Sequence, residues 1–257
     1  MLRSIRMIFR RSFAATDTGR RRDRNEDALL ADDALGLYVV ADGVGGLSSG
    51  DVASQEAVQQ LHGYIRSSAQ MLVECAQRPE ADKLEGLRRL LESGVQSACY
   101  LVFGMGEQDP DQKGMSTTLS ALLVVGDQGI TAQVGDSRIY RINQEGELQL
   151  TEDHTFINEQ KKRGTRVDGA HLKRKRNVIT RAVGHRDYVH ADTQVFALAQ
   201  GDLFLLCSDG LHGYLQPGEL QTLVAQHAQD QLPQACVELA NQRGGTDNIS
   251  VILVSIE

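Results

Sequence analysis

Residues 119–142 read LSALLVVGDQGITAQVGDSRIYRI. Two apolar runs, Leu119 to Val125 and Ile130 to Val134, flank Gly126-Asp127-Gln128-Gly129. Short apolar runs rich in β-branched residues and bounded by Gly, Asp or Asn mark strands. Val125 to Ile130 reads as a hairpin turn, and Val134-Gly135-Asp136-Ser137-Arg138-Ile139 reads as a second one. The stretch therefore predicts three consecutive antiparallel strands, the third over Arg138 to Ile142.

Outward from this core, the same pattern predicts strands at Gly36 to Val40, Asp202 to Cys207 and Ile249 to Ile256. Helices fall between them. Ser49 to Gln70 repeats Val52, Ala53, Ala57, Val58, Leu61 and Ile65 at close to 3.6 residues, and Leu84 to Phe103 continues with Leu87, Leu90, Leu91, Val95, Ala98 and Val102. Pro217 to Gln229 and Pro233 to Asn241 each place Pro in a first helical turn. Glu152 to Arg181 is polar, basic and aperiodic, and reads as an irregular insertion. There is no internal repeat, and only four Pro residues occur. An α+β domain, with antiparallel sheets and helix pairs outside them, is the economical architecture.

Composition narrows the function. The chain has 257 residues, 41% hydrophobic and 24% charged, as in soluble globular proteins. A net charge of -7 and the absence of Trp disfavour a nucleic-acid partner, which needs surplus cations and stacking rings. Cys75, Cys99, Cys207 and Cys236 form no C-x-x-C pair, which leaves buried thiols in a reducing compartment, the cytoplasm, as the expectation. No apolar run approaches the roughly 20 residues of a membrane span. Residues 1–12 form a basic, partly apolar extension. It is a poor signal peptide and reads as a short amphipathic surface contact or a frayed end.

Acidic residues recur in turn-like motifs across the whole chain: Asn25-Glu26-Asp27, Ala41-Asp42-Gly43-Val44-Gly45-Gly46, Gly135-Asp136-Ser137-Arg138, Cys207-Ser208-Asp209-Gly210 and Gly245-Thr246-Asp247-Asn248. Each alone has an ordinary reading, since Asp-Gly is a common turn dipeptide, as at Asp168-Gly169, and Ser208-Asp209 suits a helix cap. Together, at predicted strand ends, they read as a carboxylate cage. Carboxylates bunched without basic partners repel, and a divalent cation removes the conflict. With no His or Cys in the motifs the donors are all oxygen, which selects Mg²⁺ or Mn²⁺.

These motifs, with Thr16-Asp17-Thr18-Gly19, Arg22, Ser116-Thr117-Thr118, Leu150-Thr151-Glu152-Asp153-His154 and Asn177-Val178-Ile179-Thr180-Arg181-Ala182, occur in the order found in metal-dependent Ser/Thr protein phosphatases. From about residue 13 to the end the chain resembles the protein phosphatase 2C family in its compact bacterial form. The resemblance implies a four-layer α-β-β-α sandwich of two antiparallel sheets, residues 13–257, with a flap insertion near 152–181. It implies two Mn²⁺ or Mg²⁺ ions, with a third at a weaker site. Asp42 would bridge the two. Asp209 and Asp247 would complete the first site, and Glu26 with the Gly43 carbonyl the second. Asp136 with Asp209 would form the third. Asp27 would orient water, Asn248 would support its neighbouring ligand, and Arg22 would bind the phosphate.

The implied reaction is hydrolysis of phospho-Ser and phospho-Thr by a metal-bridging water, without a phosphoenzyme. Cys207 and Ser208 are then packing or turn residues. Val44 stands where animal members carry a His proposed as general acid, so a water on the metal takes that part. Ser116 stands where many relatives have Gly. The basic run Lys161 to Arg176 has two readings, a surface that attracts acidic phosphopeptides or a solvated loop. His62, His185, His190 and His227 show no partner in the sequence. The expected partners are phosphoproteins and a Ser/Thr kinase that the enzyme opposes, and the expected state is a monomer. The competing functions are hydrolysis of another phosphoester and a catalytically silent phosphoprotein-binding module on the same fold.

Overall fold

The computed structural model describes residues 9–44, 49–164 and 178–257. Gly45, Gly46, Asp168-Gly169, Asn177 and the basic residues from Arg166 to Arg176 lie outside the described residues.

Two antiparallel sheets stack face to face. One runs β1 (Arg10–Asp17), β11 (Ile249–Ile256), β10 (Leu203–Cys207), β7 (Arg138–Asn143) and β8 (Gly146–Gln149). The other runs β2 (Asp27–Asp32), β3 (Leu37–Val44), β5 (Leu119–Val125), β6 (Gln128–Val134) and β9 (Asp192–Ala197), with the short β4 (Ser116–Thr117) on the end of β3. Helices α1 (Gly50–Ser67), α2 (Ala69–Gln77) and α3 (Ala81–Gln108) cover the second sheet. Helices α5 (Asp209–His212), α6 (Glu219–Gln226) and α7 (Leu232–Gln242) cover the first. A seventh described helix, α4 (Phe156–Lys162), lies between β8 and β9.

Strand alternation sorts the core into three layers. On β3, Leu37, Val39 and Ala41 face α1 and α3, while Tyr38 and Val40 face the other sheet. The inter-sheet layer also takes Leu122, Val124, Ile139, Phe204, Leu206, Ile252 and Val254. Helices α1 and α3 approach closely because Gly94 has no side chain; a Cβ there would stand 2.7 Å from Leu61 Cδ1.

The fold corrects several expectations. The Val125 to Ile130 turn is a hairpin, with β5 and β6 paired from Leu119↔Val134 to Val125↔Gln128. Val134 to Ile139 is not a hairpin, because β7 leaves for the other sheet and pairs with β10 and β8. Gly135, at φ +96°, turns the chain across, and its missing Cβ lets Thr118 pack against it. The Gln133 side-chain amide ties the turn by donating to Gly135 O at 3.0 Å and to Ser137 O at 2.7 Å. The Glu152 to Arg181 stretch is not wholly irregular, since α4 forms there with Thr155 as its N-cap. The Ser49 to Gln70 helix ends at Ser67 and α2 starts anew. Strand β1 starts at Arg10, ahead of position 13, and pairs Arg10 with Ile256. His62 is not partnerless; its Nε2 lies 2.9 Å from Asp32 Oδ2. His190 lies 3.7 Å from Asp192 Oδ1.

Phe204 is fully buried between the sheets, 5.7 Å ring to ring from Phe196. Phe204→Ala should destabilise the protein by about 3–5 kcal/mol, read as a lower urea midpoint with an unchanged slope.

Candidate active site

The alternation that builds the inter-sheet core also builds the site. At one end of the sandwich the same face turns from apolar to polar. On β3 the series Tyr38, Val40 continues to Asp42, and on β2 Leu29 shares its face with Asp27. On β10, Phe204 and Leu206 lead to Ser208, and on β11, Val254 and Ile252 lead to Ser250 and Asn248. The two aspartates are direct partners across β2 and β3, Asp27↔Asp42. Like charges placed directly opposite on a sheet are destabilising, so this pair marks a functional rather than a structural end.

Polar groups hold each acid from behind. Asp42 N donates to Thr118 Oγ1 at 2.9 Å, while Asp42 O accepts from Thr118 N at 2.8 Å and from Thr117 Oγ1 at 2.9 Å. Thr118 Oγ1 reaches Ser137 Oγ, in the crossover turn just before β7, at 2.8 Å. Ser208 Oγ donates to Asp27 Oδ2 at 2.8 Å and accepts from Ser250 N at 3.0 Å. Ser208 is therefore more than a turn residue: it pins Asp27. Cys207 packs in the core beneath α5 to α7, as expected.

Asn248 organises the loop that carries Arg22 and Glu26. Its Oδ1 accepts from Glu26 N at 2.8 Å, and its Nδ2 donates to Thr18 O and Arg24 O at 2.9 and 2.8 Å. Glu26 O in turn accepts from Gly43 N at 3.1 Å. A Cβ on Gly43 would stand 2.2 Å from Gly50 O and 2.6 Å from Glu26 O, so only glycine lets these backbones meet. Ser116 pairs with Val44 across β3 and β4, and its Oγ donates to Val44 O at 3.3 Å. Asp209 opens α5, Asp247 lies just before β11, and Asp136 sits in the crossover turn. Asp42 lies near the end of β3, which runs past the predicted Val40 to Val44. The acids are not without a basic partner, because Arg22 Nη2 donates to Asp247 Oδ2 at 2.7 Å.

Burial and mutual repulsion set the protonation of the cluster. Asp42 is pushed well above the usual carboxylate range by burial and by the charges of Asp27, Asp209, Asp247 and Asp136. Burial, with the neighbouring acids, pushes Asp27 and Asp136 up to about 7 and Asp209 up to about 6. Burial likewise raises Glu26. The hydrogen bond to Asp247 raises Arg22. Among the described residues no three His, Cys, Asp or Glu side chains form a closed metal shell, and Asp247 is turned onto Arg22. The donor set nonetheless fits hard cations. Asp27 Oδ1 and Asp209 Oδ1 are buried with no hydrogen-bond partner. Buried carboxylate oxygens of this kind require a proton or a cation.

The model of the protein phosphatase 2C family matches residues 17–242. The chain belongs to the protein phosphatase 2C family. The Ser/Thr phosphatase stp of Listeria innocua is 33% identical over 245 residues, with 93% of each chain covered. The solved Ser/Thr phosphatase of S. agalactiae is 33% identical with a TM-score of 0.82, covering 97% of this chain and 100% of the other. The catalytic domain of the phosphatase PstP, solved in complex with 2 manganese ions, is 28% identical with a TM-score of 0.80, over 97% and 99% of the two chains. This chain is a protein-serine/threonine phosphatase of the compact bacterial type, on the four-layer sandwich expected for it.

Sequence reasoning names the acids and Asn248 but misses the other supports. Thr118 and His154 stand in recognised motifs without a role there, and Ser208 reads as a turn residue. The signal lies in the alternation of β10, which puts Ser208 on the face of Leu206.

A raised folded-state carboxylate pKa means that the folded protein holds more protons than the unfolded chain above about pH 4. Each such group therefore lowers stability as pH rises toward its folded value. Asp42→Asn removes one that burial and four neighbouring acids hold well above the usual carboxylate range. In chelator it should melt about 2 °C or more above the parent at pH 8, with a smaller gain at pH 5. A gain that is equal at both pH values, or a loss at pH 8, would contradict this electrostatic reading.

Proposed function

We propose that residues 10–257, from the start of β1, act as one catalytic domain that hydrolyses phospho-Ser and phospho-Thr on proteins with the help of two Mn²⁺ or Mg²⁺ ions and a third at a weaker site. Asp42, Asp209 and Asp247 would hold the first ion, and Glu26, Asp42 and the Gly43 carbonyl the second. Asp136 with Asp209 would hold the third. The observation that carries this reading is the pair of buried, unpartnered oxygens, Asp27 Oδ1 and Asp209 Oδ1, in a space where Asp42 is crowded by four other carboxylates. The relative solved with manganese supports it.

Bound divalent ions supply the positive charge that acidifies a water and offsets charge on the phosphoryl oxygens. The remaining work falls to side chains. Asp27, fixed through Oδ2 by Ser208, keeps Oδ1 free to accept a hydrogen bond from water and so orients it. Arg22 is half exposed at the mouth, and its planar fork suits a phosphate dianion better than a lysine would. Asn248 positions the Arg22 loop and Glu26 together. No described His stands among these acids; His212 and His154 contact the backbone of the Asp136 turn instead.

The proposed partner is a Ser/Thr kinase whose targets this enzyme dephosphorylates. The proposed location is the cytoplasm, which accords with four buried, unpaired cysteines. No described helix is long and apolar enough to cross a membrane.

Phosphate release from a phosphothreonine peptide should require added Mn²⁺ or Mg²⁺, fall to background in EDTA and return on re-addition. Full turnover by protein verified as metal-free would overturn the metal assignment. Peptide binding without release, in saturating Mn²⁺, would instead favour the silent binding module.

A further inference from the structure

Behind the Gly135–Asp136 peptide lies a set of polar groups that the chemistry above does not use. His154 is 4% exposed. Its Nδ1 accepts from Gly135 N at 3.1 Å, and its own backbone N–H donates to Gly135 O at 2.9 Å. A backbone N–H can only donate, so Nδ1 carries no proton. The ring proton therefore sits on Nε2, 3.1 Å from Asp192 Oδ2. Arg181 Nη1 stands 3.2 Å from the same nitrogen and donates to Asp192 Oδ1 at 2.6 Å. The imidazole is thus fixed in one tautomer and one orientation, with its lone pair aimed at the turn.

The turn has other supports: Thr118 packs against Gly135 and its Oγ1 lies 2.8 Å from Ser137 Oγ. His212 donates from Nε2 to Asp136 O at 2.9 Å, and Gln133 spans Gly135 O and Ser137 O. Clefts of about 190 Å³ beside His154 and about 300 Å³ beside Gln133, both lined mainly by polar side chains, adjoin these two supports rather than the turn itself. His154 also links the turn to the chain beyond α4, because its carbonyl accepts from Thr180 N at 2.8 Å.

We propose that His154, oriented by Asp192 and Arg181, is a positioning residue that fixes the Gly135–Asp136 turn and so presents the Asp136 carboxylate for the weaker divalent-cation site. This rests on the reading of Asp136 as a ligand of that site. Substituting groups that orient a metal ligand typically weakens metal affinity about 10- to 100-fold.

The test is calorimetric titration of the full chain with Mn²⁺, with melting temperature recorded for every variant. Asp136→Asn should abolish the weakest binding event and leave the tighter ones. His154→Phe keeps the ring but loses the acceptor, and should weaken that same event by about 10-fold or more. His154→Asn keeps an acceptor near the Nδ1 position and should restore most of it. A folded His154→Phe with the weak event intact, while Asp136→Asn has lost it, would overturn the positioning role. So would His154→Asn behaving like His154→Phe. An unchanged titration for Asp136→Asn would instead overturn the underlying ligand assignment. Should His154→Phe fail to fold, Asp192→Ala carries the test, since Asp192 is 38% exposed and its carboxylate accepts the Nε2 proton of His154. It should weaken the same event, and unchanged weak binding there would overturn the proposal.

Discussion

Asp27 and Asp42 face each other across neighbouring strands, on a face buried between two sheets, with Asp209 and Asp247 close enough to raise both further. Two unit charges about 5 Å apart repel by about 3 kcal/mol in an effective dielectric near 20, and here several pairs add. A fold selected for stability alone would not keep this arrangement. The remainder of the sandwich can be understood as a frame that forces these acids together and leaves a cation as the way to relieve them.

The frame works because one strand face does two jobs. Along β3, β2, β10 and β11 the inter-sheet face is apolar for most of its length, and Tyr38, Phe204, Leu206, Ile252 and Val254 lock the sheets together. At the far end the same periodicity brings up Asp42, Asp27, Ser208, Ser250 and Asn248. The acids cannot relax apart without unpacking the core that shares their strands. Hydrogen bonds across the sheets, Thr118 to Ser137 and Ser208 to Asp27, close the polar end and give the acids a fixed backing. Arg22 provides a countercharge at the rim, half exposed and paired with Asp247.

Much of this frame is legible in the amino-acid sequence. The strands at Leu119 to Val125 and Ile249 to Ile256 have the bounds that the apolar pattern predicts, because both are mostly apolar runs broken only by Ser, with Gly126 closing one and Asn248 opening the other. The acids are legible because each sits in a turn-like motif. What escapes is non-local. Strands β1, β2, β8 and β9 carry polar or charged residues on their open faces and give weak signals. The Gly135 turn looks like a hairpin locally, and only the pairing of β7 with β10 shows that it crosses between sheets. The supports of the site, Ser208, Thr118 and His154, act through contacts 19 to 181 residues away in sequence, which no spacing reveals.

The central claim is that buried, mutually repelling carboxylates hold protons that divalent cations displace. Calorimetric titration of the chelator-stripped protein with Mn²⁺, in two buffers of different ionisation enthalpy, counts those protons directly. At pH 6, within the range of the raised Asp209, Asp27 and Asp136, binding should release protons, and the release should shrink as pH is raised to 8 and above. Tight Mn²⁺ binding at pH 6 with no proton release would contradict the account.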